Sequence, residues 1–262
     1  MTPSPSLPAG DIAVASEQPT ITQLVARWIG TPLRRKLRFV RGPLRSWLVV
    51  VGLLTIQLDA ARFAIGVLCV VLGTVLHFVS KCYLRQDRQL TVSGPYRFTR
   101  NPFYLANLIF EGGLLVIIGN PWVAVAFLAV WVWIYGRTIR EEEATLSRLF
   151  GEAFTDYCRH VPRLFVPGRY LPREKASGPQ FSLRNANISQ GREIQRSLRM
   201  LSYPLLFLAA GMVHESGMQS LWTASRDLAL CTFAFLALNG VGFVVTRLLA
   251  HNAVTGPAVE AR

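Results

Sequence analysis

Long continuous runs of hydrophobic residues alternate along this chain with polar segments. Four runs lie close together, at residues 46–58, 63–80, 104–118 and 121–136, and two more follow a polar connector, at 200–213 and 228–250. Segments that are hydrophobic all round are typical of buried or membrane helices. Several runs are shorter than the roughly twenty residues that span a bilayer comfortably, so we expect these helices to extend into flanking residues. The pattern predicts an all-α protein, a polytopic membrane helical bundle.

The connections between the runs predict how the helices pair. Residues 59–62 and 119–121 form short turns, which join the first four runs into two core transmembrane hairpins. The last two runs predict a C-terminal apolar hairpin, although the first of them is short and contains Pro204. The alternative for that run is a helix lying in the membrane interface.

Composition and charge agree with a membrane protein. The chain of 262 residues has 28 Lys and Arg against 15 Asp and Glu, and 51% of its residues are hydrophobic. The basic residues flank the apolar runs, as in loops that face anionic lipid, which argues against nucleic-acid binding. They concentrate in the N-terminal segment and in the loops at 81–100 and 137–163. The positive-inside rule therefore predicts that the N terminus and both loops are cytosolic.

The predicted organisation has four parts. We expect a basic, partly disordered cytosolic segment at 1–43, a transmembrane core at 44–167, a polar cytosolic connector at 168–199, and C-terminal membrane helices with a tail at 200–262. Membrane lipids are thus expected partners, while the pattern leaves the oligomeric state open.

The cysteines and histidines do not form a metal-binding pattern. Cys69, Cys82, Cys158 and Cys231 are widely separated, and no histidine has the i, i+3 or i+4 partner that a helical metal site needs. We therefore expect neither a metal site nor a disulfide framework.

The first polar stretch with candidate chemistry is LTVSGPYRFTRNPFYL, residues 90–105. Its Gly-Pro and Asn-Pro dipeptides predict a bent loop that leads into a helix starting near Pro102. The N–H groups at a helix start, two arginines, and aromatic rings such as Tyr96 and Tyr104 suit an anionic, aromatic ligand with a positively charged sulfur. S-adenosylmethionine is such a ligand. The plainer interpretation is a juxtamembrane loop whose arginines contact lipid headgroups.

The second polar stretch, residues 137–163, continues the fourth apolar run into a charged helix. Helical spacing places Glu142 with Thr138 and Leu146, so the neighbouring pair of Arg137 and Glu141 does not obviously neutralise it. A carboxylate at the membrane boundary can accept hydrogen bonds from a ribose or hold an ammonium group. The alternative is a solvated helix end, which is the ordinary meaning of three consecutive glutamates.

Together the two stretches resemble the isoprenylcysteine carboxyl methyltransferase family of integral-membrane enzymes. The resemblance rests on GPYR and RNP in the first stretch, on Glu-Glu, Leu-Phe-Gly, Tyr and Val-Pro-Arg in the second, and on the apolar hairpin between them. It implies a membrane methyltransferase that uses S-adenosyl-L-methionine and a lipophilic small-molecule or lipid acceptor. The catalytic candidates that it implies are Arg137, Arg140 and Glu142. The cofactor-binding candidates are Arg88, Gln89, Leu90, Thr91, Tyr96, Arg100, Asn101, Pro102, Phe103, Tyr104, Glu142, Glu143 and Tyr157.

Three positions depart from the family's pattern. Asn101 stands where a histidine is common, and Phe154 stands where a tyrosine is usual. Thr138 occupies the position at which eukaryotic members place an arginine, four residues before the cofactor glutamate. Arg137 is adjacent but turned about 100° around the helix, so whether Arg137 or Arg140 orients the acceptor is left open.

The resemblance implies methyl transfer, with carboxyl O-methylation of an isoprenoid or prenylcysteine-like acceptor as the first hypothesis. A carboxylate is already deprotonated at neutral pH and needs no general base. An amine acceptor would need one, and Glu142 or Glu143 is the nearest candidate. The alternatives are a phospholipid N-methyltransferase, an NADPH-dependent membrane reductase of sterol-reductase-like type, and a non-catalytic membrane scaffold.

Overall fold

The structure of the protein is a computed structural model that describes residues 33–84, 89–176, 178–183, 191–220 and 225–255. Within those residues the regular secondary structure is helical, which confirms the predicted all-α membrane bundle. The α-helices are α1 (Leu33–Thr55), α2 (Ala60–Tyr83), α3 (Pro102–Ile118), α4 (Pro121–His160), α5 (Arg192–Ser220) and α6 (Ser225–Thr255). Short 3-10 helices occupy Gly94–Arg97 and Arg173–Lys175.

Met1–Val40 forms a unit of its own. The structure describes only residues 33–40 of it, so most of the predicted disordered segment 1–43 lies outside the described residues. α1 begins at Leu33, inside that predicted segment, because the Leu, Arg and Lys of its first turns are good helix formers. All that follows concerns the second unit, Arg41–Arg262.

The apolar helices make the chain a multi-pass membrane protein. By length and composition, the helices able to cross a membrane among the described residues are Ala60–Tyr83, Pro121–His160 and Arg226–Leu248. Shorter apolar helices cover Leu44–Thr55 and Pro102–Ile118. The runs at 104–118 and 121–136 lie in helices throughout, as does the run at 63–80, whereas the run at 46–58 leaves its helix after Thr55.

Asp59 determines where α2 starts. Its backbone is extended and its carboxylate accepts a hydrogen bond from the Arg62 N–H at 2.8 Å, which is the geometry of an N-cap. α2 therefore begins at Ala60, and the turn occupies residues 56–59 rather than the predicted 59–62.

Polar contacts tie the ends of the two core hairpins together at this turn. The Arg62 guanidinium donates to the Gly119 carbonyl at 3.1 Å, and the Gln57 N–H donates to the Ile118 carbonyl at 3.0 Å. Gly119 adopts a positive φ of 71°, which glycine tolerates without a Cβ penalty, and so ends α3 beside the turn. The turn before α2 and the turn after α3 are thus joined side by side.

α2 and α3 pack closely because glycine lets their backbones approach. A Cβ at Gly73 would lie 2.7 Å from the Phe110 nitrogen, and one at Gly113 would lie 2.7 Å from the Gly66 carbonyl oxygen. Small residues commonly serve this purpose between membrane helices. The two helices run antiparallel, so the end of α2 lies beside the start of α3.

α4 is one long element that carries the fourth apolar run and the second polar stretch. The prediction that this helix continues beyond the apolar run is confirmed. Gly151 interrupts it with φ 51° and ψ −123°, which bends the chain before the last turns. The segment beyond the bend contributes Phe154, Tyr157 and Val161 to a small apolar cluster with Leu171.

α5 and α6 pair as an antiparallel hairpin. α5 starts at Arg192, inside the predicted connector, and continues past Pro204 without ending. The Asn239 amide on α6 donates to Ser202 Oγ on α5 at 3.0 Å. Of this pair, only α6 meets the criteria of a membrane-crossing helix within the described residues.

Candidate functional site

The two polar stretches meet in space and form one site. The Tyr157 hydroxyl, beyond the bend of α4, donates to the Tyr96 carbonyl at 2.6 Å. The Arg100 N–H donates to the Pro162 carbonyl at 2.9 Å. The loop before α3 is therefore held by the segment that follows α4, although about sixty residues separate them in sequence.

Asn101 and Thr99 strengthen the same connection. Both side chains donate to the Arg163 carbonyl at 3.0 Å, and the Asn101 N–H donates to Thr99 Oγ1 at 3.2 Å. Asn101 precedes α3 but makes no side-chain cap to its helix. Its amide instead joins the two polar stretches, and Pro102, with no N–H to satisfy, opens the helix.

Tyr104 and Glu142 connect α3 to α4. The Tyr104 hydroxyl donates to Glu142 Oε1 at 2.6 Å, a charge-assisted bond. Tyr104 is buried and Glu142 is half-buried, so this carboxylate lies at the edge of the protein interior. Glu142 thus contacts the first polar stretch through a tyrosine, whereas the neighbouring Glu143 contacts it through Arg100.

Tyr96 carries a buried hydroxyl that lacks a partner. The residue is 7% exposed, and among the described residues none forms a hydrogen bond with its hydroxyl oxygen. Burial raises the pKa of Tyr96, and the nearby Tyr157 and Glu142 raise it further, so the phenol stays neutral. Its ring lies 6.5 Å from that of Phe103, centroid to centroid. A buried polar group without a partner is costly, so a ligand that bonds to it would gain that free energy.

Glu143 serves a different purpose from Glu142. Its Oε2 accepts from Arg163 Nε at 2.8 Å, and its Oε1 lies 3.2 Å from Arg100 Nη2. Glu143 is 9% exposed and so is enclosed between two guanidinium groups. Since both of its oxygens face arginines, we assign it to holding the loop, together with Arg100.

The remaining predicted cofactor residues differ in their surroundings. Arg88 lies outside the described residues. Gln89 is exposed, Thr91 is buried, and Leu90 packs against the apolar cluster of Phe154 and its neighbours. Phe103 faces His77 of α2, with 5.1 Å between ring centroids, and the Lys81 ammonium lies 5.2 Å from the Phe103 ring centre.

Neither of the two predicted acceptor arginines faces the pair of Tyr104 and Glu142 from within the bundle. Arg137 and Arg140 are both exposed, and the Arg137 guanidinium lies over the ring of Trp133, which is itself exposed. Thr138, at the position where the family pattern has an arginine, is buried and bonds to the Ile134 carbonyl on its own helix.

A polar group that the sequence reasoning did not single out lies inside the bundle. Glu111 of α3 is 2% exposed and accepts from Arg45 Nη2 at 2.7 Å and from Arg45 Nε at 3.0 Å. Its second oxygen accepts from Trp131 Nε1 of α4 at 3.0 Å. The available signal was a carboxylate within an apolar membrane run, which is costly unless it is paired and is commonly functional.

Within the described residues, no group of three or more His, Cys, Asp or Glu side chains is placed to hold a metal ion.

Comparison with known proteins shows which family and which relatives the chain is similar to. Residues 48–153 match the family described as phospholipid methyltransferase. The chain is 31% identical over 133 residues to the nickel-cobalt-cadmium resistance protein NccN of Alcaligenes xylosoxydans xylosoxydans, covering 45% of this chain and 62% of that protein. It is 30% identical over 118 residues to the protein-S-isoprenylcysteine O-methyltransferase of Rattus norvegicus, covering 45% of this chain and 40% of that protein.

A third relative, the cobalt-zinc-cadmium resistance protein CzcN of Cupriavidus metallidurans, is 27% identical over 154 residues, which cover 58% of this chain and 65% of that protein. The chain thus spans less than two thirds of the length of each of these three relatives. No solved structure matches the chain. The relatives named as isoprenylcysteine methyltransferases confirm the resemblance first seen in the two polar stretches.

Proposed function

We propose that the protein is a membrane-embedded methyltransferase, since residues 48–153 match the phospholipid methyltransferase family and the chain resembles a protein-S-isoprenylcysteine O-methyltransferase. Its methyl donor is S-adenosyl-L-methionine and its acceptor is lipophilic. The observation that carries the proposal is the joining of the two polar stretches, in which Tyr104 bonds to Glu142 beside the unpartnered hydroxyl of Tyr96.

The chemistry of these side chains fits the proposed cofactor. Glu142 uses Oε1 for Tyr104, which leaves Oε2 to accept from a ribose hydroxyl or an ammonium group. The Tyr96 hydroxyl can donate to or accept from an adenine or carboxylate atom, which would satisfy a group that is otherwise buried without a bond. The rings of Tyr96 and Phe103 offer apolar and π surfaces for a sulfonium ion. When bound, the sulfonium supplies an electrophilic methyl group.

The residues of the chain would then act mainly by placing the two reactants. Hydrogen bonds from Tyr157, Asn101 and Thr99 hold the loop before α3 against the end of α4, which keeps Tyr96 close to Glu142. Positioning of this kind, with water excluded, lowers the barrier without an added base when the acceptor is a carboxylate. Carboxyl O-methylation of an isoprenoid or prenylcysteine-like molecule is therefore our first proposal for the reaction.

The proposed location of the site is the cytosolic side of the membrane. The two joined stretches carry many of the chain's arginines, and the turns at the opposite ends of the core hairpins carry few. By the positive-inside rule the donor would enter from the cytosol, while a lipophilic acceptor would arrive from the bilayer between helices.

Phospholipid N-methylation is the second candidate, because the matching family is described by that substrate class. An amine acceptor must lose a proton, and Glu142 is the available carboxylate since Glu143 is enclosed between arginines. The two candidates differ in pH dependence: an amine acceptor would give a rate that rises with pH, whereas a carboxylate would not.

The test of the proposed function is calorimetric titration of the detergent-purified full chain with S-adenosylhomocysteine, with NADPH as the comparison ligand. Saturable binding of S-adenosylhomocysteine alone is the expected result. Binding of NADPH alone would assign the site to a reductase, and binding of neither by folded protein would support the scaffold alternative.

A further inference from the structure

The pair of Arg45 and Glu111 lies inside the helical bundle, away from both polar stretches. Arg45 Nη2 and Nε both contact Glu111 Oε1, at 2.7 and 3.0 Å, and Nη2 also donates to Asn107 Oδ1 at 3.4 Å. Trp131 donates to the other Glu111 oxygen. Burying an ion pair costs desolvation free energy that hydrophobic residues of similar size would not require, so such a pair is poorly explained by stability alone. Intramembrane charges of this kind usually have a functional role.

The position of the pair relates it to the proposed methyl-transfer site. Tyr104, Asn107 and Glu111 follow the i, i+3, i+7 spacing and therefore lie on one face of α3. Glu111 is about 10 Å along the helix axis from Tyr104, and Asn107 lies between them. Polar side chains therefore follow this face of α3 from the Glu142 end of the site to the Arg45 pair.

Aromatic residues of α4 contact this face of α3 and one another. The Trp131 ring stacks on Tyr135, with 4.6 Å between centroids, and Tyr135 meets the ring of Tyr104 edge-on at 5.3 Å. The Arg45 guanidinium lies 5.3 Å from the Phe110 ring centre. The few polar groups on this face of α3 are therefore set among aromatic rings.

Arg45 retains donors that the pair does not use. The hydrogen bonds to Glu111 and Asn107 engage Nε and Nη2, and no acceptor among the described residues bonds to Nη1. The Arg45 side chain is 29% exposed, whereas that of Glu111 is 2% exposed. One edge of the guanidinium is thus held by the protein, while Nη1 on the other edge keeps its donors unused by the described residues. A planar guanidinium held on one edge is well suited to bind an oxyanion on the other.

The charges on the neighbouring helices favour an anion over a cation. Arg196, Lys81 and Arg45 are the charged groups that act on the buried imidazole of His77 on α2. Glu111 is bonded to Arg45 and Glu193 lies 3.4 Å from Arg196, so these two carboxylates face three cations in this part of the bundle. An ammonium group would be repelled here, whereas a carboxylate or phosphate would be attracted.

We propose that Arg45, oriented by Glu111 and Asn107, binds the anionic group of the lipophilic acceptor. This inference rests on the proposed function and deepens it, because it assigns to α1 the acceptor arginine that the motif pattern placed at Arg137 or Arg140. Glu111 is a positioning residue: it holds one edge of the guanidinium and offsets part of its charge. A carboxylate-bearing and a phosphate-bearing lipid share the chemistry that this site recognises.

Binding of matched amphiphiles to the full chain in lipid nanodiscs tests the proposal without requiring turnover. One arm compares N-acetyl-S-farnesylcysteine with its neutral methyl ester, and the other compares farnesyl phosphate with farnesol. We expect at least tenfold tighter binding of the anionic member in one arm, and that arm identifies whether the anion is a carboxylate or a phosphate. Equal binding of both members in both arms would overturn the proposal.

Variants of the chain test whether Arg45 causes the preference for the anionic amphiphile. In the double variant Arg45→Gln/Glu111→Gln the buried charges are removed together, so neither is left unpaired, and we expect the preference for the anion to fall to about twofold or less. Arg45→Lys retains the charge and should restore part of the preference. Arg148→Gln, which alters an exposed arginine on α4, is the matched control. An undiminished preference in the double variant would remove Arg45 from the site.

Binding of S-adenosylhomocysteine separates this inference from the proposed function. The double variant should bind it as the unchanged chain does, because the contact of Tyr104 with Glu142 does not involve Arg45. If only the double variant failed to bind S-adenosylhomocysteine, the substitutions would have damaged the structure in general. The specific role of Arg45 in binding the anion would then be overturned. A chain that binds no S-adenosylhomocysteine at all would refute the proposed function instead, whatever the amphiphiles show.

Discussion

The Tyr104 hydroxyl donates a hydrogen bond to Glu142 across 2.6 Å and so connects the first turn of α3 to the middle of α4. This bond brings one residue from each polar stretch to the same point. The carboxylate of Glu142 also acts on the buried Tyr96 hydroxyl, so these three side chains lie close together.

Replacing Glu142 by Gln should weaken S-adenosylhomocysteine binding by about tenfold or more, because charge-assisted hydrogen bonds are stronger than neutral ones. Gln can still accept from Tyr104, so the helix contact should persist. Calorimetric titration measures the change. Glu141→Gln is the matched control, since only the backbone carbonyl of Glu141 accepts from Thr145. Equal effects of the two variants would place the cofactor elsewhere.

Replacing Tyr96 by Phe should not lower the stability of the ligand-free protein, but it should reduce the stabilisation that the ligand gives. The Tyr96 hydroxyl has no partner among the described residues, so its removal should leave the ligand-free protein as stable or slightly more stable. If a cofactor atom satisfies that hydroxyl, the variant should gain less thermal stability from S-adenosylhomocysteine. Unfolding temperatures with and without the ligand give both values. A variant destabilised in the absence of ligand and stabilised normally by it would contradict this role.

Tyr157→Phe should destabilise the protein by about 1–3 kcal/mol, because the buried Tyr96 carbonyl would lose its hydrogen-bond donor. The free energy of unfolding, followed by denaturant titration in detergent, is the measurement. Tyr170→Phe is the control, since Tyr170 is 51% exposed. Similar small changes in both variants would mean that the Tyr157 hydroxyl does not hold the loop.

The raised pKa of Tyr96 predicts a loss of stability in alkali. The unfolded chain releases this proton near its ordinary pKa of 10.0, whereas burial keeps the folded phenol protonated to higher pH. Stability from this group is therefore complete below pH about 10 and falls above it, by up to about 1.4 kcal/mol per pH unit. Unfolding measured from pH 8 to pH 11 should show a smaller slope for Tyr96→Phe than for the unchanged chain. Identical slopes would indicate that the phenol ionises freely in the folded protein.

Two adjacent glycines of α3 should respond differently to the same substitution. A Cβ at Gly113 would meet the Gly66 carbonyl oxygen at 2.7 Å, whereas one at Gly112 would meet nothing within 4 Å. Gly113→Ala should therefore cost about 1–3 kcal/mol as α2 and α3 separate, and Gly112→Ala should be neutral or stabilising. Thermal unfolding of the two variants in the same detergent decides between them. Equal stability would mean that the close helix contact is absent.

The helices of the core could be predicted because each apolar run is continuous and the turns between them are short. The membrane bundle, the long α4 and the relation between its charged end and the loop before α3 all follow from that pattern. The start of α1 was missed because its first turns are rich in Arg and Lys, which form helices well but interrupt an apolar run. α5 was likewise predicted too short, since its first turns are polar and Pro204 lies within it.

The candidate site could be predicted in outline but not in the detail of its contacts. Charge alone does not distinguish Glu142 from Glu143, and only the fold places arginines on both sides of the latter. The exposed positions of Arg137 and Arg140 depend on how α4 faces its neighbours, which helical spacing cannot specify. Arg45 belonged, by sequence, to the basic segment before the first apolar run, and its partner Glu111 lies 66 residues further along the chain.

Because Arg62 and Gln57 bond to the end of α3, the core helices are held differently at their two ends. Three helix ends are tied to one another on that side, whereas the opposite side is held by a loop whose contacts come partly from α4 before Gly151 and partly from beyond the bend there. Helices fastened at one end separate most at the other. The proposed lipid acceptor would therefore separate these helices most beside Phe103 and Tyr104, at the end away from the tied turn.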